Sequence, residues 1–125
     1  MKATSLLFLS VLFAACASEK TKYVSFEIPV DNFVHEKFQN KRYELTGCYM
    51  ESDTYSMEKK QAKMIVDFKV NLLGKVEDET ITLTDVEDAN FKACVLNVVR
   101  SLEFGSQTGE LKISQAIRFH PETKI

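Results

Sequence analysis

The stretch AKMIVDFKVNLL, residues 62–73, constrains the fold of this chain more than any other, because its apolar side chains recur at every second position. Met64, Val66, Phe68, Val70 and Leu72 fall on one face, and Asp67, Lys69 and Asn71 on the other. Successive side chains of extended backbone point to opposite sides, so this period predicts a strand with one dry and one wet face. Something must cover the dry face. The following LLGKV puts Gly74 where a tight turn needs positive φ, which predicts a hairpin returning over about Val76 to Thr84, with Val76, Ile81 and Leu83 as its apolar residues. The odd spacing from Val76 to Ile81 predicts a bulge near Asp78–Glu79.

Two other stretches have the helical period. Phe91, Cys94, Val95, Val98, Val99 and Leu102 follow i, i+3, i+4, i+7, i+8 and i+11, behind a cap at Asp85 or Asp88. Val34, Phe38, Leu45, Cys48 and Tyr49 form a looser stripe behind Asp31 or Asn32, interrupted at Lys41-Arg42 and weakened at Gly47. Before it, YVSFEIPV alternates through Val24, Phe26, Ile28 and Val30, and Pro29 argues for an edge position or an early end. ESDTYSMEKKQ has no apolar period and is expected as a loop or frayed helix end. After the turn FGSQTGE, LKISQAIRF predicts a last strand with Leu111, Ile113, Ile117 and Phe119 inward and Lys112, Ser114 and Arg118 outward. The order β-α-β-β-α-β predicts an α+β two-layer sandwich, two helices on one mainly antiparallel sheet, as a single domain over 23–125.

The first residues carry an address. Lys2 precedes an apolar run from Leu6 to Ala15, and small residues lead up to Cys16. About ten helical residues cover about 15 Å, half of a ~30 Å hydrocarbon core, so the run is too short to span. Charge, short apolar middle and small residues make 1–15 a secretory signal peptide. The stretch resembles a bacterial lipobox, with Phe13 where the motif usually has Leu, and the resemblance implies that Cys16 is lipidated. The alternative is an ordinary secreted chain cut near Ala15, with Cys16 incidental or a buried core cysteine. Ala17 rather than Asp after Cys16 resembles the sorting signal for the outer membrane. ASEKTK, 17–22, then serves as a flexible tether to the anchor. The chain carries 16 Lys and Arg against 18 Asp and Glu, a formal charge of −2, and losing Lys2 makes it one more negative. No basic cluster interleaves with aromatics, so nucleic acid is not an expected partner.

With Cys16 assigned to lipid, export makes a disulfide between Cys48 and Cys94 the default, the alternative being two unpaired core thiols. Closing that loop stabilises by about 4 kcal/mol in the chain-entropy model. There is no CxxC and no cysteine–histidine spacing for zinc, and His35 and His120 read as surface or rim residues. Glu77-Asp78-Glu79 and Asp85-Glu87-Asp88 sit in a hairpin and a cap region, where acids belong; a weak Ca²⁺ site there lacks a ligand loop. No nucleophile motif and no phosphate loop is present, so no catalytic residue, metal or cofactor is expected.

Cys48-Tyr49-Met50, AKMIVDFKVNLLGKV, DANFKACVLNVVRSLEF and GELKISQAIRFHP together resemble the C-terminal domain shared by the gliding-motility protein AgmX and its relatives, which is similar in plan to the C-terminal domain of TonB. The resemblance covers about residues 30–121. It lacks the proline-rich aromatic turn after the second helix, and the chain has neither the proline-rich linker nor the inner-membrane helix of TonB. It implies a non-enzymatic interaction module that binds an envelope protein by strand addition at a sheet edge. The last strand, with Leu111, Ile113, Ser114 and Ile117, or the short first strand is the expected edge. The alternatives are a thiol–disulfide redox protein using Cys48 and Cys94, and a purely structural lipoprotein of the cell envelope, in either case without a small-molecule substrate.

Overall fold

The structure, a computed structural model, describes residues 23–26 and 32–121. The signal segment, Cys16 and the tether, the 27–30 continuation of the first strand, and the side chains of the expected caps Asp31 and Asn32 lie outside the described residues. In chain order the elements are β1 (Val24–Phe26), α1 (Asn32–Gln39), α2 (Arg42–Met50), α3 (Asp53–Ser56), β2 (Ala62–Val70), β3 (Val76–Thr84), α4 (Ala89–Arg100) and β4 (Leu111–Phe119). The strands form one antiparallel sheet in the order β1-β4-β2-β3. Helices cover one face, so the fold is the α+β arrangement that the alternation demanded.

Alternate residues of β2, from Ala62 to Val70, are buried, and those between them are half-exposed. Against them pack Val34 and Phe38 of α1, Leu45 and Tyr49 of α2, and Phe91, Val95 and Val99 of α4. β4 adds Ile113, Ile117 and Phe119, with Gln115 on the same face and 1% exposed. A buried amide is costly without partners; its Nε2 donates to the Ala116 carbonyl at 3.0 Å.

Two expectations change. The first helix is two helices, because the apolar stripe stops at Lys41-Arg42. There the Lys41 N–H bonds to the Phe38 carbonyl at 3.0 Å, a tightened turn, and the Lys41 carbonyl starts α2 by accepting from Leu45 at 3.0 Å. Both Phe38 and Leu45 thereby reach the core. Gly47 lies inside α2 and does not end it. The acyclic-looking ESDTYSMEKKQ contains the one-turn α3, because Ser52 caps it by accepting from the Tyr55 N–H at 3.2 Å.

β3 carries the expected bulge and a second one. Asp67 pairs Thr80 while Lys69 pairs Glu77, leaving Asp78 and Glu79 opposite Phe68, and Asp78 takes φ 55°. Ile65 pairs Leu83 but Val66 pairs Ile81, so Thr82 is extra. That second slip turns Leu83 to the open face, 59% exposed, while Ile81 faces the helices. Of the two candidate caps, Asp88 starts α4, accepting from the N–H groups of Asn90 and Phe91 at 3.0 and 3.1 Å. Asp85 instead accepts from the Lys63 N–H at 3.1 Å.

Candidate functional site

The β2–β3 turn differs from what alternation predicts. Leu72 was expected inward, but β2 ends at Val70 because the Asn71 side chain takes over the backbone. Its Oδ1 accepts from the N–H groups of Leu73 and Lys75, both at 3.0 Å. The Asn71 N–H donates to the Lys75 carbonyl at 2.9 Å, and the Gly74 N–H to the Asn71 carbonyl at 2.9 Å. Gly74 has φ +84°, which only glycine adopts cheaply, and a Cβ there would run into the backbone of Gly105.

The loop after α4 clamps the same turn from outside. The Phe104 N–H donates to the Gly74 carbonyl at 3.0 Å and the Gln107 N–H to the Leu72 carbonyl at 2.8 Å. Gln107 Nε2 donates back to the carbonyls of Phe104 and Gly105, each at 3.1 Å. Lys75 Nζ reaches Glu103 at 2.6 Å, and that ion pair lowers the Glu103 carboxyl below its usual range. Phe33 stacks edge-on against Phe104 at 5.7 Å. The outcome is a turn held from both sides whose two side chains, Leu72 and Leu73, stand 56% and 74% exposed. An apolar pair on immobilised backbone loses little entropy on meeting a partner. The only trace of this in the sequence is LL directly before Gly74.

The residues singled out from the sequence are dispersed. Cys48 and Cys94 are bonded, with Cα atoms 5.7 Å apart, and join α2 to α4. A shallow groove of about 170 Å³ beside them is lined by Glu51, Asp53 and Asp88. Carboxylates disfavour a nearby thiolate, the reverse of what a redox cysteine needs. The Asp88 carboxyl is held low by its hydrogen bond from Phe91 first, then by those from Asp53 and Asn90. His35 lies 2.6 Å from Gln39 on α1, and His120 lies 3.2 Å from Ser25 Oγ at the far side of the sheet. Asp78 pairs with Lys69 at 3.7 Å and Glu79 with Arg100 at 2.7 Å. Among the described residues no three His, Cys, Asp or Glu side chains stand close enough to hold a metal ion.

The expected edge is only partly one. β4 pairs with β2 along its whole length, and Ile117 pairs with both Met64 and Phe26, so Ile117 is inside the sheet. Leu111, Ile113 and Ser114 pair with β2 on one side; among the described residues no strand pairs their other side. β1, the other expected edge, is an outer strand, and β3 is the outer strand opposite. Two bulges and the acids Glu77, Asp78 and Glu79 make β3 a poor template for a further strand. In comparisons with known proteins, no family model, curated protein or solved structure gives a significant match to this chain.

Proposed function

We propose that this chain is a non-enzymatic, lipid-anchored protein of the bacterial cell envelope that works as a protein–protein interaction module. Its anchor is Cys16, on the outer membrane facing the periplasm, and its partner-facing surface is the β2–β3 turn. The observation that carries the reading is the exposed Leu72-Leu73 pair on a turn fixed by hydrogen bonds from two sides. Exposed apolar side chains on preorganised backbone suit recognition of an apolar pocket in another envelope protein. The resemblance to the AgmX and TonB C-terminal domains points to the same class of function.

The test is crosslinking of the anchored protein in the envelope of an exporting bacterium, comparing the native chain with Leu72→Ser/Leu73→Ser. Both side chains are exposed, so the melting temperature should stay put while the crosslinked product disappears. A product of undiminished yield sinks the turn as the docking surface. Strand addition is the second reading, favoured by the side of Leu111, Ile113 and Ser114 that no strand pairs among the described residues. Ser114→Pro removes a backbone donor there; loss of the product in this variant alone, with the fold intact, would move the interface to β4.

A further inference from the structure

The tether and the sheet together determine which end of the domain meets the lipid. We propose that the near end of the sheet, at the rim formed by Tyr23, Tyr55, Met57 and Lys59, rests on the headgroup layer of the bilayer that holds the Cys16 anchor. The proposal rests on the lipid-anchor reading above.

The first described residue, Tyr23, stands at one end of the sheet: its carbonyl accepts from the His120 N–H at 2.8 Å, where β4 ends. Register gathers Val24, Ala62, Thr84 and Phe119 at this end and the β2–β3 turn at the other. Cys16 is seven residues from Tyr23, which fully extended reaches about 25 Å at ~3.3–3.6 Å per residue. β2 has nine residues and spans about 30 Å at ~3.3 Å each, with Leu72 and Leu73 beyond its end. A domain standing on its leucine turn would lift Tyr23 more than about 30 Å from the lipid, farther than the tether reaches. Two poses remain: near end down, or lying on a flank.

Side-chain chemistry decides between them. At the near end Tyr23 meets Tyr55 edge-on at 6.3 Å, and Lys59 Nζ lies over the Tyr55 ring at 4.0 Å. Met57 beside them is 77% exposed. Rings with polar tips, a lysine stem and a bare thioether are side chains that can lie with apolar bodies among lipid and polar ends in the headgroups. The open flank of the sheet instead presents Lys112 and the Lys69–Asp78 ion pair around its centre, charged groups that gain nothing by leaving water. The near end also carries Asp53, Glu58, Asp85, Glu87 and Asp88, which with Met57 line a groove of about 850 Å³ between α3 and the turn into α4. Attraction to anionic lipid is therefore not what holds the rim down; the tether and the interfacial side chains do.

The experiment uses the full lipidated chain in vesicles of phosphatidylethanolamine and phosphatidylglycerol bearing a nitroxide on the headgroup. A fluorophore is placed in turn at Met57→Cys, Ser114→Cys and Leu73→Cys, with the Cys48–Cys94 bond verified by intact mass. The expected result is loss of fluorescence at position 57 and none at 114 or 73. Quenching at 114 as strong as at 57 puts the flank on the lipid and overturns the proposal, as does an acylated, vesicle-bound protein whose label at 57 stays bright. A chain with no acyl mass that fails to float with the vesicles overturns the anchor itself, and this inference with it.

Discussion

At the scale of single residues, Tyr49 shows how one buried polar atom ties a region together. Its ring is fully buried between Tyr55, Phe91 and Phe119, with centroids 5.1, 5.9 and 5.5 Å away. Its hydroxyl donates to the Lys60 carbonyl at 2.6 Å, which ties the stretch after α3 to α2. Burial, and then the neighbouring Tyr55, push the phenol up from 10.0 to about 12. The folded state therefore holds this proton more tightly than the unfolded chain. The stability it contributes is fully present below pH 10 and is lost as pH rises from 10 to about 12. Tyr49→Phe should lower stability at neutral pH by about 1 kcal/mol, the net worth of one hydrogen bond, and flatten the alkaline limb between those pH values. Urea unfolding of both proteins across that range measures it; parallel limbs would mean that the phenolate forms without penalty. The ring was legible as part of a helical stripe, but its hydroxyl partner was not, because Lys60 lies in a stretch with no period at all.

At the scale of elements, what was legible followed periodicity and what was not followed tertiary packing. β2 and α4 stand where alternation and the i, i+3, i+4 stripe put them, since each buries one face only. The Asp78 bulge was readable because Val76 and Ile81 cannot share a face without it. The Thr82 bulge was not, because Ile81 and Leu83 alternate well in sequence and only the pairing with Ile65 shows that one faces out. Leu72 was misplaced for a similar reason: Asn71 ends the strand through its side chain, which apolar spacing does not register. Two glycines separate the effects. Gly47 sits inside α2 with open space where a Cβ would go, so Gly47→Ala should stabilise by about 0.5–1 kcal/mol by lowering the entropy of the unfolded chain. Gly74→Ala must hold positive φ against the Gly105 backbone and should destabilise by more than about 1 kcal/mol. Thermal melts of the pair should move in opposite directions; a neutral Gly74→Ala would show that the clamp around the leucine turn is slack.

At the scale of the whole molecule, the disulfide decides whether so small a fold stands. The Cys48–Cys94 bond spans 46 residues of sequence, a loop that takes in α3, all of β2 and β3, the leucine turn and the start of α4. Cross-linking a loop of that length restricts the unfolded chain by about 4 kcal/mol, against total stabilities of about 5–15 kcal/mol for small domains. The bond also joins α2 to α4, whose Tyr49 and Phe91 meet each other and Phe119 at the end of β4. The same geometry argues against exchange chemistry. Cys48 is buried, and the flanking Glu51, Asp53 and Asp88 repel an incoming thiolate and oppose formation of one. Cys48→Ser/Cys94→Ser should therefore lose about 2–5 kcal/mol in urea unfolding. In the native protein the bond should survive mild reductant that cleaves it once urea is added, read by alkylation and mass. Ready reduction in the folded state, with little change in stability, would reverse the assignment: the cysteines would then be the working site, and the leucine turn at the other end of the sheet would be left as scaffold.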